Sequence, residues 1–199
     1  MRLQKLHGLG NDFLVLLDLD GDRPIDADLA RAVCERRRGI GADGLIHLGP
    51  GLRMTLLNAD GSRAEMSGNG IRCLAHALAR SRATSTLAVD IETDAGVRHV
   101  AVSPGADERS VMATVAMGPV RPALAPDLHL DAKDTVGADV GNPHVVALYI
   151  DRAALDVAAD RFARTDRNVE FVIAGPGESQ VTMRVVERGV GGQPLGLGR

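Results

Sequence analysis

Short runs of branched and apolar residues, cut off by Gly, Asp, Asn or Pro, recur along the chain and predict strands. Arg2–His7, Phe13–Asp18, Leu45–Leu48 and Leu52–Asn58 come first, and Leu87–Thr93, Val97–Ser103 and Val111–Met117 follow. Two stretches between them have helical spacing. Asp26–Arg38 begins just after Pro24, with Asp26 as the expected N-cap. In Asn69–Arg82, Ile71, Leu74, Ala75 and Leu78 fall at i, i+3, i+4 and i+7, while Cys73, Ala77 and Ala79 lie off that stripe. A helix apolar on nearly all sides must be surrounded by protein. Here the flanking strands are expected to wrap it.

Pro119–Pro126 carries three prolines and reads as a linker between residues 1–118 and 127–199. The pattern then resumes with strand His144–Ile150, helix Ala153–Arg164 and strands Asn168–Ala174 and Gln180–Glu187. In the last, Val181, Met183 and Val185 alternate with Thr182, Arg184 and Val186. The second half repeats the first in outline. Gly10-Asn11-Asp12-Phe13 and Gly141-Asn142-Pro143-His144 are equivalent openings, 131 residues apart at Asn11 and Asn142. The same offset from Ser67 falls at Gly198, so a second loop-and-helix site is expected where the sequence stops. The pattern predicts a mixed α/β (α+β) fold of two similar halves, the second incomplete.

Composition narrows the function. The 199 residues are 45% hydrophobic and 25% charged, ordinary for a soluble globular protein. Aromatics are only 2%, which removes the platforms that stack nucleobases, and the net charge of −3 steers the chain toward neither nucleic acid nor anionic membrane. No stretch has the length of a membrane span or the pattern of a signal peptide, so the expected location is the cytoplasm. The six histidines show no metal-ligand spacing, and no metal is expected. Cys34 and Cys73 make no disulfide framework and read as small core residues. Arg36-Arg37-Arg38 before Gly39 reads as the cationic end of a helix with a glycine C-cap.

The chemistry concentrates in Asn58–Cys73, NADGSRAEMSGNGIRC. It reads as a strand end, a turn and a glycine-framed loop opening straight into a helix. Ser67-Gly68-Asn69-Gly70 leaves several backbone N–H groups unpaired at the helix start, where the dipole also favours an anion. A small acidic substrate fits there, its carboxylate on the helix N-terminus and its reacting carbon near Ser67. Ser67 also has a plain structural reading as a capping serine.

These residues resemble diaminopimelate epimerase. The resemblance runs through Lys5–Phe13, Gly39–Gly44, Asn58–Cys73, Gly141–His144 and Arg184–Gly191, five motifs in the family's order. It implies two similar halves, each a curved sheet around a central helix, and a cofactor-independent reaction on diaminopimelate, a lysine and peptidoglycan precursor. It also implies a homodimer. In that family two cysteines face opposite sides of the substrate α-carbon; a thiolate takes the proton and a thiol returns one, while helix N-termini grip the α-carboxylate.

By the same resemblance Asn11, Asn58, Asn142 and Asn168 hold the ammonium and carboxylate groups of the substrate. Gly68 and Asn69 bind the α-carboxylate through backbone N–H groups. Glu187 and Arg188 bind its other end, and His144 and Glu187 tune the catalytic thiols. Taken alone, Asn beside Gly is a turn residue, Glu187-Arg188 a surface charge pair, and His144 a structural histidine. Gly44 stands where many members have glutamine, so no contact is expected from it. Ser67 occupies the place of the first cysteine. The place of the second falls near Gly196, in a tail without cysteine where Pro194 spoils a helix start. The resemblance stops after Gly191, the pattern a frameshift, early stop or fragmentary gene model would leave. Two other functions stay open: a dehydratase like those of the proline racemase group, where serine takes this place, and a non-catalytic amino-acid-binding fragment.

Overall fold

A computed structural model describes residues 1–125, 128–162, 168–175 and 180–186. The chain forms two compact units, Met1–Gly118 and Pro119–Arg199.

The first unit contains a five-stranded sheet in the order β1 (Gln4–Gly8), β2 (Asn11–Leu17), β3 (Gly44–Leu48), β4 (Met54–Asn58) and β5 (Arg63–Ala64). β2 and β3 are parallel and joined through helix α1 (Ala27–Cys34), and the other pairs are antiparallel. The apolar run Phe13–Leu16 is buried throughout because both faces of the sheet are covered. Leu14, Leu45 and Leu57 turn to Ala30 and Cys34 of α1. Phe13, Val15, Ile46 and Leu56 turn to helix α2 (Gly68–Ser81).

On the other side of α2 lies a three-stranded antiparallel sheet of β6 (Leu87–Thr93), β7 (Gly96–Pro104) and β8 (Val111–Val115). The helix therefore touches strands of both sheets, as its all-round apolar sequence requires. Ile71, Leu74, Ala75, Ala77 and Leu78 are fully buried, and each such aliphatic side chain larger than alanine contributes about 1.5–3 kcal/mol. One seam between the sheets is closed by an Arg53–Glu92 ion pair and by Asp94, which takes Arg53 at 3.1 Å and Arg63 at 2.6 Å.

The end of α1 differs from the expectation. Asp26 caps its start, accepting from Leu29 N–H at 2.7 Å, but the helix stops at Cys34 rather than Arg38. Glu35 turns extended, and its carboxylate takes the N–H groups of Arg37 and Arg38. The chain then doubles back, so that Ile40 and Gly41 donate to the Val33 carbonyl and Ala42 to that of Cys34. Gly39 is needed for this close approach: a Cβ there would lie 2.3 Å from the Ala32 oxygen. It is not the C-cap, and Arg36 serves ion pairs described below rather than the helix dipole. The strand expected from Leu52 starts at Met54, after a short 3-10 turn at Pro50–Leu52.

In the second unit, α3 (Arg152–Arg161) joins two parallel strands in a five-stranded sheet. Its order is β9 (Arg121–Ala123), β10 (Asp134–Asp139), β11 (Pro143–Tyr149), β12 (Asn168–Ala174) and β13 (Val181–Val186). β11 and β12 are the parallel pair, and the others are antiparallel. β9 lies within the 119–126 stretch expected as a linker, and β10 was not legible as a strand. The register repeats that of the first unit: Leu14, Leu45 and Leu57 pair across β2, β3 and β4, and Val145, Val169 and Val186 across β11, β12 and β13. Leu14 and Val145 are 131 residues apart, the offset read from the two Gly-Asn motifs.

Val145, Ala147, Val169 and Phe171 pack on Leu155 and Ala159 of α3. Tyr149 Oη donates to the Leu130 carbonyl at 2.7 Å, and Arg184 pairs with Asp156 at 3.0 Å and Asp160 at 2.8 Å. Val185 and Met183 point to the opposite face and are half-buried. α3 is the counterpart of α1, and among the described residues of this unit there is no counterpart of α2. No described helix is long and apolar enough to cross a membrane.

Candidate functional site

In the first unit the candidate residues meet at one end of the sheet, where β2 and β3 begin, β1 and β4 end and α2 starts. Asn11 lies opposite Gly8, and Gly44 opposite Asn58. A Cβ at Gly8 would sit 3.4 Å from that of Asn69, so the first turn of α2 rests against the end of β1. Gly70 packs tightly there: a Cβ would meet Ile46 Cδ1 at 3.1 Å and Ser67 Cβ at 3.2 Å, so these neighbours would have to shift.

The helix starts at Gly68, with Ser67 as its N-cap in extended conformation. Ser67 Oγ accepts from Gly70 N–H at 3.0 Å and the Ser67 carbonyl from Ile71 N–H at 2.9 Å. The N–H groups of Gly68 and Asn69 have no acceptor among the described residues. Arg72 folds back onto this turn, donating from Nε to the Gly68 carbonyl at 3.0 Å and also bonding Asn69 Oδ1. Two bare N–H groups, the positive end of a helix dipole and an adjacent guanidinium make an anion cradle.

Beside it Asn11 is only 2% exposed, and its Nδ2 donates to Asp43 Oδ2 at 2.8 Å. Asp43 Oδ1 takes Arg36 at 2.7 Å, and Arg36 also holds both Asp12 oxygens, at 2.7 and 3.1 Å. Lys5 Nζ lies 3.1 Å from Asp12 and donates to the Gly41 carbonyl at 2.6 Å. Burial pushes the Asp12 carboxyl upward, but the Arg36 and Lys5 cations outweigh it and hold the pKa at about 2. These residues were missed as a site feature. Lys5, Asp12 and Asp43 lie inside the family motifs and Arg36 just before one, yet their partners are 24 to 36 residues apart except in the Arg36–Asp43 and Lys5–Asp12 pairs. Asn58 donates through Nδ2 to Ser62 Oγ at 3.0 Å. At Gly44 a Cβ would lie 2.9 Å from the Leu57 carbonyl oxygen, so this backbone favours glycine there.

Both cysteines are buried. Burial, with Asp12 and Asp43 nearby, pushes the Cys34 thiol up to about 11. Burial, with a smaller push from Asp12, outweighs Arg72 and raises the Cys73 thiol as well, also to about 11. Neither supplies a thiolate near neutral pH.

The second unit gathers Asn142, His144 and Asn168 at the corresponding end of its sheet, where β11 and β12 begin. His144 and Asn168 are register partners, and Asn168 Nδ2 donates to the Pro143 carbonyl at 3.4 Å. His144 Nδ1 donates to Glu170 Oε1 at 2.6 Å, and its Nε2 lies 3.0 Å from Asn142 Oδ1. Glu170 was not foreseen; its other oxygen, Oε2, is buried without a hydrogen-bond partner among the described residues. Its signal was two residues from Asn168, on the strand face shared with His144. Glu187 and Arg188 lie outside the described residues.

The family model for diaminopimelate epimerase matches residues 3–122. A diaminopimelate epimerase of Desulforudis audaxviator is 37% identical over 98% of this chain and 78% of its own length. That of Thermobifida fusca is 36% identical over 95% of this chain and 76% of its own. Among solved structures, a hydroxyproline epimerase from Agrobacterium vitis superposes with a TM-score of 0.60 at 16% identity, over 92% of this chain and 69% of that one. A phenazine biosynthesis protein of the PhzF family from Bacillus anthracis gives 0.60 at 15% identity, over 94% and 70%. At such identity these two show a shared fold and nothing more.

Proposed function

The chain belongs to the diaminopimelate epimerase family, and from that premise we propose that it binds diaminopimelate at the start of α2 and acts on the α-carbon held there. The observation that carries the reading is the pair of N–H groups of Gly68 and Asn69 beside Ser67, which have no acceptor among the described residues. The substrate α-carboxylate accepts from both. When the α-proton leaves, negative charge moves onto that carboxylate, and donors already aimed at it stabilise the carbanion. The reaction needs no cofactor.

Ser67 stands at the reacting carbon in place of a thiol. Its hydroxyl is a far weaker acid than a thiol, and its contacts in the first unit include no base, so proton transfer through it is slow. Asn11 and Asn58 bind the charged groups of the substrate in this unit. Asn142, Asn168, Glu187 and Arg188 do so in the second, with His144 and Glu187 tuning proton carriers; that assignment rests on the family resemblance. The functional division is 1–118 and 127–199 joined by 119–126, the assembly is a homodimer by resemblance, and the location is the cytoplasm expected from the sequence pattern.

The test is calorimetric titration with LL- and meso-diaminopimelate, followed by α-proton exchange in D₂O. Both isomers are expected to bind, with slow exchange. No binding of either isomer overturns the reading. The serine in the cysteine place keeps one second reading, dehydration of hydroxyproline, and a pyrroline-type product from that substrate would establish it.

A further inference from the structure

We propose that Asp43 is a positioning residue that locks the Asn11 carboxamide with Oδ1 turned toward the ligand, so that this position takes an ammonium group and rejects a carboxylate. The inference rests on the reading of Asn11 as a substrate contact. A carboxamide has one donor end and one acceptor end of nearly the same shape, so its surroundings decide which end faces a ligand. Asn11 is 2% exposed, so little of that decision is left to solvent. The group 2.8 Å from its nitrogen is Asp43 Oδ2, a carboxylate oxygen, which accepts and cannot donate. Nδ2 therefore faces Asp43, and Oδ1 faces the other way.

Asp43 is itself held. Arg36 takes its Oδ1 at 2.7 Å, and the Asp12 N–H donates to its Oδ2 at 3.1 Å. Arg36 is pinned in turn by both oxygens of Asp12. The carboxylate cannot swing away to release the amide without breaking its Arg36 ion pair and the Asp12 N–H hydrogen bond. Among the described residues Asn11 Oδ1 has no donor. An acceptor without a donor, lying at the sheet end beside the anion cradle of α2, suits the ammonium group of an amino acid whose carboxylate occupies Gly68 and Asn69.

The experiment uses the full chain and its Asp43→Asn variant, titrated with meso-diaminopimelate and with pimelate, the same dicarboxylate without ammonium groups. Asparagine keeps the shape but can face Asn11 with either end, so the lock is lost. Diaminopimelate should bind at least about tenfold more weakly to the variant, because a hydrogen bond to a charged group is at stake, while pimelate affinity stays as in the wild type. Equal losses for both ligands would mark a merely structural role, and no loss would remove the role altogether; either overturns the proposal. A second readout covers a variant that fails to fold and a wild type that binds neither ligand, an outcome that defeats only the proposed function. In the ¹H–¹⁵N spectrum of the wild-type chain, assigned with Asn11→Leu, one Asn11 Nδ2 proton should be shifted downfield and exchange slowly. Shifts and exchange like those of an exposed amide would overturn the lock.

Discussion

Ser67 Oγ accepts the Gly70 backbone N–H at 3.0 Å, so the residue proposed to stand at the reacting carbon is the N-cap of the central helix of its unit. The two roles want different atoms. A cap wants a hard hydroxyl oxygen that accepts well, and proton transfer wants an acidic thiol.

Ser67→Cys is therefore expected to raise the α-proton exchange rate in D₂O while lowering stability by about 1 kcal/mol, the usual scale for losing a good cap. Exchange as fast in the wild type as in the variant would show that Ser67 is not the limiting proton carrier. Ser67→Ala should lose the cap and gain nothing in exchange.

The Asp12–Arg36 pair sets an acid limit. The Asp12 carboxyl falls from 3.8 to about 2 on folding, worth on the order of 2 kcal/mol at about 1.4 kcal/mol per unit. Its folded pKa lies below the unfolded one, so this stability is fully present above the unfolded pKa of 3.8 and is lost as pH falls toward 2. Arg36→Ala should lower the melting temperature most near neutral pH, and the gap to wild type should narrow below pH 3.8. A gap that does not change with pH would mean that Arg36 stabilises through packing alone.

Cys34 and Cys73 should resist alkylation in the native chain at neutral pH, since both are buried with thiols pushed up to about 11. Labelling monitored by mass should follow global unfolding. Rapid labelling of Cys73 in the folded protein would reopen it as a base close to the start of α2.

The first unit has a closed core and should fold as the fragment Met1–Gly118. A single cooperative thermal transition is expected, with the amides of Ile71–Leu78 the slowest to exchange. Leu74 is fully buried, and Leu74→Ala should cost about 2–5 kcal/mol. A fragment without a cooperative transition would show that residues beyond 118 are needed for this core.

Local rules carried much of this far. The spacing of Ile71, Leu74, Ala75 and Leu78 with alanines between them demanded a helix covered on all sides, and two sheets cover it. Asp26 and Ser67 announced helix starts because a cap acts within three residues. The Gly-Asn motifs 131 residues apart announced a repeat that the strand registers reproduce. The glycine-framed loop before α2 announced an anion cradle because unpaired N–H groups follow from where a helix begins.

Tertiary structure decided the rest. Nothing within Asp26–Arg38 ends a helix at Cys34; the returning chain does, by claiming the Val33 and Cys34 carbonyls. Arg36 looked like a helix-end cation because its local neighbours are Arg37, Arg38 and Gly39, while its partners are Asp12 on β2 and Asp43 just before β3. The Glu170 contact with His144 likewise exists only because β11 and β12 lie side by side. Periodicity reports what a residue needs from its own element, namely burial, a cap or a turn. Which end of the Asn11 amide faces outward depends on a carboxylate 32 residues away, and only the folded chain brings the two to 2.8 Å.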